Sequence, residues 1–376
     1  MRHAISRPSD TGDEDRGARP RSASIVINNF NYERFVGTAI QSALRQTHPA
    51  QVVVVDDAST DGSRRIIASF GDRIEAVFSE VNLGQASAMN QGFRLASGDI
   101  VIFLDSDDVL EPTAVATVIA KWRPGIVFAQ YPLTIIDAEA ARRGILPDPP
   151  TALADGDVRH ELVTRGTFAV NVTSGLAFDR RSLARVMPIP ERLYRMPADG
   201  YLVRMLAFLG NVQRIDVPLG SYRAHGANDS DVISASGGLA AGFRKKIRYA
   251  ESEFKTIREA AARHGFDVAP DLGERNPDYL GYRLFSLLLD ARHHPMTRDR
   301  LMTLLPRYVT LRWRSPWALR RKVITTSIAI AACAAPASVS WTLVTWLHDP
   351  RSRPEWLRRL HGSLTRAGER ARPSPA

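Results

Sequence analysis

The chain has 376 residues, enough for one full hydrophobic core and an appendage. An apolar fraction of 44% excludes wholesale disorder, and a single cysteine, Cys333, excludes an internal disulfide or a cysteine-built metal site. The net charge of +10 is unevenly spread, because residues 1–230 carry 25 Lys/Arg against 27 Asp/Glu while residues 301–376 carry 13 against 3. A nucleic-acid enzyme would set its basic residues around a working cleft. A basic tail beside apolar sequence fits an anionic membrane surface instead, and nucleic acid is not expected as a partner.

Residues 1–22, "MRHAISRPSDTGDEDRGARPRS", are polar and mixed in charge. They lack the apolar segment of a secretory signal and are expected to form a disordered leader. The domain behind this leader is then expected in the cytoplasm, where the sequon at Asn171 has no glycosylation meaning. "ASIVIN" (23–28) is a β-branched run that predicts a buried strand. The next segment places Phe35, Val36, Ala39, Ile40, Ala43 and Leu44 at helical spacing. "QVVVVDD" predicts a second strand, closed by a Ser/Thr/Asp/Gly turn that can cap the helix holding Ile66 and Ile67. "RIEAVFSE", "GQASAMNQGFRLAS" and "GDIVIFLD" then predict strand, helix and strand. This alternation implies an α/β fold with a mainly parallel sheet covered by helices on both faces.

Beyond Lys121 the pattern loosens. "GILPDPPTALADG" (144–156) reads as a passage between two halves, about 23–125 and 126–240, of one domain spanning 23–240. Short strands are expected around 169–178 and 212–217, flanking a helix in "DGYLVRMLAFLG". "HGANDSDVISASGG" (225–238) is rich in Gly, Ser and Asp and is expected to be mobile, closing over bound ligand. Helices dominate the basic region 241–376. The stretch 323–347 has no charged residue and is long enough to span a bilayer, but it contains Pro336 and is basic on both flanks. A hairpin bent near Pro336, or a helix lying in the interface, would keep both flanks on the cytoplasmic side. The alternative is a helix pair packed into a protein core.

In parallel sheets of this kind the ligand crevice lies at the carboxyl ends of the strands. Two acidic clusters, Asp56-Asp57 and Asp105-Ser106-Asp107-Asp108, fall at such ends. An Asp-x-Asp at a strand terminus projects carboxylates into the crevice, where Mg²⁺ or Mn²⁺ would find oxygen ligands and neutralise a diphosphate. Taken singly, either cluster is also ordinary turn and helix-cap chemistry. Their pairing at one edge is the specific signal.

"SIVINNFNYERFVGTAIQSALRQT", "VVVVDDASTDGS", "NLGQASAMNQGFRLASGDIVIFLDSDD" and "ADGYLVRMLAFLG…YRAHGANDS" together resemble family 2 glycosyltransferases of the GT-A fold, over roughly residues 23–230. The resemblance implies a role for each matching position. Asp57 would hydrogen-bond the nucleotide base, with Phe30 packing beside it and Asn28 or Asn29 in the same loop. Asp105 and Asp107 would engage ribose and metal, with Asp108 sharing the metal. Asn82 and Gln85 lie in the segment beside the sugar diphosphate. Ser174 and Gly175 belong to the loop near donor and acceptor. Asp199 would be the catalytic base, His225 would complete the metal shell, and Arg223 would meet phosphate. Two departures stand out: Ala198 replaces the Glu that relatives often carry before the base, and Ala58 replaces a Gly in a turn expected to tolerate it.

The implied reaction is a single in-line displacement with inversion, since one base and no second carboxylate nucleophile are present. The donor is expected to be a nucleotide sugar, UDP-linked by default, and the acceptor a carbohydrate or lipid-linked hydroxyl in envelope or exopolysaccharide synthesis. A sugar nucleotidyltransferase would need a Gly-rich basic loop after the first strand, where this chain has "NNFNYERF". A non-catalytic nucleotide-binding or membrane-docking module is the remaining alternative, and the full acid set argues against it.

Overall fold

The computed structural model describes residues 22–149, 152–195, 197–225, 238–315, 319–348 and 352–355. Residues 1–21 of the expected leader and 226–237 of the expected mobile stretch lie outside the described residues. The chain divides into two compact units. The first comprises the residues up to Gly226 together with Glu253–Pro270, and the second comprises Ala227–Ser252 and Asp271–Ala376.

In the first unit the predicted alternation is present: β1 (Ala23–Asn29), α1 (Val36–Leu44), β2 (Gln51–Asp56), α2 (Ser63–Ala68), β3 (Glu75–Phe78), α3 (Gln85–Leu95) and β4 (Ile100–Asp105). Next come β5 (Val109–Leu110), α4 (Ala114–Lys121), β6 (Ile126–Gln130), β7 (Leu133–Ile136), β8 (Arg142–Leu146) and α5 (Arg159–Arg165). The half closes with β9 (Leu176–Asp179), α6 (Arg180–Ala184), α7 (Asp199–Ala207), β10 (Asn211–Arg214) and β11 (Gly220–Arg223). The main sheet has the order β10-β6-β9-β4-β1-β2-β3. Its strands are parallel except β9, which runs antiparallel to both β4 and β6. Ile25, Ile27, Val52, Val54, Ile102 and Leu104 face α1, α2 and α4 in one core, while Val26, Val53, Val55, Val101 and Phe103 are buried on the opposite side. Burial on both faces is why these strands read as continuous apolar runs rather than alternating ones.

A smaller sheet, β5-β11-β7-β8, accompanies the main one. It left little trace in the sequence pattern, since its strands are two to five residues long. Part of the proline-rich passage is its edge strand β8.

Register sets the working edge. Asn28 stands abreast of Asp105 on β4, and Asn29 abreast of Asp56 on β2. Three strands therefore end level, with polar side chains at one rim.

Helix α8 (Leu239–Arg263) contributes its last turns to the first unit. The second unit adds α9 (Pro277–Leu289), α10 (Leu301–Arg314), α11 (Leu319–Ala334) and α12 (Ala337–His348). Asn276 caps α9, its side chain accepting from the amides of Asp278 and Tyr279, with Pro277 at the first helical position. Leu280, Leu284, Phe285, Leu304, Tyr308, Ala329, Ala332 and Val344 share a core with Leu239 and Phe243. The apolar stretch 323–347 is thus divided at Pro336 into two helices that pack together, with Ser340 Oγ donating to Ala332 O at 2.7 Å. Among the described residues no helix is long and apolar enough to cross a membrane.

Candidate active site

The paired aspartates that end β2 have separate structural partners. Asp56 is fully buried and accepts from Arg64 Nε at 3.0 Å, Asn29 Nδ2 at 2.8 Å and Ser59 N at 3.0 Å. Asp57 turns the other way, accepting from Leu83 N at 3.0 Å and Gly84 N at 2.6 Å, the amides that precede α3. A carboxylate at a helix N-terminus satisfies orphan donors and complements the dipole. One aspartate therefore closes its own turn, and its neighbour anchors α3. Ala58 between them has φ 64°, in the left-handed region. The turn accommodates Ala, as expected, but at a cost of about 1–2 kcal/mol that Gly would not incur.

The segment leading into α3 is fastened to the loop that carries Asp199. Arg195 Nη2 donates to Asn82 Oδ1 at 2.5 Å and to Asn82 O at 3.0 Å. Gly84, at φ 93°, lies where a Cβ would overlap Arg195 Cγ. Asn90 donates to Ile189 O at 3.0 Å and accepts from Ile189 N at 2.8 Å. Gln85 Oε1 accepts from Ala198 N at 3.0 Å, next to Asp199.

From the other end of its amide, Gln85 donates to Asp105 Oδ1 at 3.1 Å, where Asn28 Nδ2 also donates at 2.9 Å. Burial, with the Asp107 and Asp199 carboxylates adding repulsion, pushes the Asp105 pKa up to about 7. Burial likewise raises Asp107, against the His225 hydrogen bond. Asp108, almost fully buried, is pushed well above the ordinary carboxylate range by burial and by Asp107 and Asp105. Like charges crowded out of water disfavour ionisation, which a bound cation would restore.

Asp107 Oδ2 lies 3.0 Å from His225 Nε2, whose ring packs on Phe35 at 4.9 Å and Tyr32 at 5.7 Å. Asp108 Oδ1 accepts from Arg223 N at 2.8 Å, while its buried Oδ2 has no hydrogen-bond partner among the described residues. Among the described residues no group of three Asp, Glu, His or Cys side chains is placed to hold a metal ion. The buried, unpartnered Asp108 Oδ2 and the neighbouring Asp107 carboxylate are oxygen donors of the kind Mg²⁺ or Mn²⁺ takes, with water and phosphate completing the shell.

Ser174 and Gly175 lie in a short 3₁₀ turn, Thr173–Gly175, that abuts β4. Ser174 Oγ accepts from Asp105 N at 3.1 Å. Gly175 is packed so closely that a Cβ would stand 2.5 Å from Asn171 Nδ2. Asp199 opens α7, accepts from Gly200 N at 2.9 Å and is raised by burial, opposed by that amide, by Arg204 and by Thr173. Arg204 is paired with Glu253 at 2.7 Å, and Tyr194 Oη donates to Thr256 Oγ1 at 2.7 Å. The last turns of α8 thus brace the loop and helix that present Asp199, a support that lies beyond the stretch bearing the sequence resemblance.

Of the expected donor contacts, Phe30 stands as expected and Arg223 does not. Phe30 is 42% exposed at the rim, an available aromatic face. Arg223 is buried, with Nε donating to Asp107 O at 2.8 Å, Nη1 to Asp137 O at 3.1 Å, and its guanidinium 4.8 Å from the Phe35 ring centre. Its position is that of a strut under the acidic loop rather than of a phosphate ligand. Arg195, which sequence reasoning passed over, is the exposed cation beside Asn82 and Gln85. Its only sequence signal was position, four residues before Asp199.

A mainly parallel sheet with an Asp-x-Asp at one strand end, a half-buried carboxylate opening a helix and an aromatic at the rim fits a transferase of GT-A fold. The family model described as Glycosyl transferase family 2 matches residues 24–186. An uncharacterized glycosyltransferase of Nostoc sp. is 34% identical over 262 residues, covering 68% of this chain and 80% of its own. The chain belongs to glycosyltransferase family 2 and is a glycosyltransferase. The succinoglycan biosynthesis protein ExoU of Rhizobium meliloti is 31% identical over 127 residues, covering 33% of this chain and 36% of its own. A solved mannosyltransferase from Pyrobaculum calidifontis, in complex with GDP-Man and Mn²⁺, is 20% identical with a TM-score of 0.45, covering 86% of this chain and 88% of that one.

Proposed function

We propose that the protein is an inverting glycosyltransferase that moves a sugar from a nucleotide-diphosphate donor, UDP-linked by default, to a hydroxyl of a carbohydrate or lipid-linked acceptor. The observation that carries this reading is the meeting of Asp105 and the Asp199 loop on the two ends of the Gln85 amide. It brings the acids of the donor side and the candidate base to one crevice. Asp57, Phe30, Asn28 and Asp105 would receive the nucleoside, Asp57 at the base and Asp105 at the ribose. Asp107, Asp108 and His225 would hold Mg²⁺ or Mn²⁺, which when bound offsets the charge of the departing diphosphate. Asp199, with its pKa raised by burial, is suited to take the acceptor's proton at neutral pH. No second carboxylate is assigned as a nucleophile, so inversion in one displacement is the expected course. A thermal-shift screen of UDP-, dTDP- and GDP-sugars with Mn²⁺ identifies the donor. NMR of the product then tests the mechanism, because retention of the donor's anomeric configuration would overturn it.

The setting we propose is envelope or exopolysaccharide synthesis at the cytoplasmic face of a membrane. Leu319, Val323, Ser327, Ile330 and Ala334 follow one another at helical spacing on the exposed side of α11, and Trp341 is exposed on α12. Neither helix carries a charge after Lys322, while Arg320, Arg321 and Lys322 lie at the start of the pair. An apolar stripe with a basic end fits an anionic lipid surface. Sedimentation with phosphatidylglycerol vesicles, and not with phosphatidylcholine vesicles, is expected, and Ile330→Glu is expected to weaken it. Equal recovery with both lipids, or dimerisation lost in Ile330→Glu, would assign the stripe to another partner.

A further inference from the structure

Gln85 has the position of a donor ligand, but each end of its amide already holds a protein partner. Its Nε2 is committed to Asp105 Oδ1 at 3.1 Å and its Oε1 to Ala198 N at 3.0 Å. A carboxylate on one side and an amide N–H on the other fix which end of the amide faces which way. The backbone beneath it is also held, since Asp57 accepts from the two amides just before it. Farther along α3, Asn90 clasps Ile189 in both directions, and Arg195 reaches back to Asn82. The loop that ends in Asp199 is therefore seated on α3, and Gln85 is the point where that seat touches the donor-side acid.

We propose that Gln85 is a positioning residue that sets Asp199 against the Asp105 side of the crevice, and that it does not itself bind the nucleotide sugar. The proposal rests on Asp199 being the base. Proton transfer during attack depends on placement, and a displacement of about 1 Å can cost about 100-fold in rate. Gln85→Met keeps the volume of the side chain and removes both hydrogen bonds. Gln85→Asn keeps the amide but is one methylene too short to span its partners.

The test uses the full chain, Mn²⁺ and the nucleotide sugar selected by the donor screen, with water as acceptor. Expected for Gln85→Met is a fall in kcat of about 10- to 100-fold, with KM and the affinity for Mn²⁺ and free nucleotide within about twofold of wild type. The acid limb of its pH profile is expected to move down toward the ordinary carboxylate range, because a loosened Asp199 gains water. Gln85→Asn is expected to show the same signature at smaller size, and it decides the matter if Gln85→Met does not fold. Weaker nucleotide binding with kcat preserved, or kcat and pH profile both unchanged, would overturn the proposal. Asp199→Asn separates the two layers. If it turns over like wild type, the base assignment fails; if it is inactive while both Gln85 variants match wild type, only the positioning role fails.

Discussion

At the residue scale, two aspartates in a row at the end of an apolar strand persist because each has its own counter-partner. Asp56 has Arg64 and Asp57 has the amides before α3. The sequence made the position of these acids legible, but not their partners, which lie up to 27 residues away and meet only through the fold. Arg223 and Arg195 show the same limit. Proximity to a motif suggested one arginine, and the fold buries it and leaves the other at the rim. Arg195→Ala, which unfastens the Asp199 loop from Asn82, is expected to lower kcat by about tenfold, with a smaller effect on the donor KM.

Asp199 carries a stability cost with its function. A carboxyl raised in the fold leaves its stabilising contribution intact below its unfolded value near 3.8, and loses it as pH rises through the folded value. Asp199→Asn is therefore expected to melt higher than wild type at pH 8 and to melt alike below pH 4. For the same reason the acid limb of wild-type kcat/KM is expected above the ordinary carboxylate range.

At the element scale, β1, β2, β4 and the helices between them were readable because continuous β-branched runs and helical spacing report burial on two faces. The small sheet and the reversed direction of β9, whose strand was expected, were not, since strands of two to five residues carry no period and take their place from neighbours. Helix α3 holds both crevice walls, and its entry depends on Gly84 at φ 93° beside Arg195. Gly84→Ala is expected to lower activity at least tenfold, by pushing the Arg195 loop away, and a variant with wild-type turnover would contradict this. Ala58→Gly is expected to raise the melting temperature by about 2 °C, since relief of the left-handed strain exceeds the added freedom of the unfolded chain.

At the scale of the molecule, the first unit contains the stretch matched by the family model and the proposed site, and the second a helical core with an uncharged exposed stripe. The helix pair at 319–348 was foreseeable from Pro336 and the basic flanks, and its packing into a core was the stated alternative to the membrane, but its partners α9 and α10 were not, because Ala, Ser and Thr do not announce which side they will bury. The last turns of α8 escaped the resemblance altogether, although Glu253 and Thr256 steady α7 and its loop.

The central claim is that acids from separate strand and helix ends serve one donor, some by holding it and one by taking a proton. Nucleotide binding and turnover measured side by side for Asp107→Asn and Asp199→Asn test it most directly. The expected result is that Asp107→Asn loses the Mn²⁺ dependence of nucleotide binding. Asp199→Asn is expected to bind nucleotide and Mn²⁺ like wild type and to lose turnover by about 10²- to 10⁴-fold. Wild-type turnover in Asp199→Asn, or unchanged cation-dependent binding in Asp107→Asn, would contradict it.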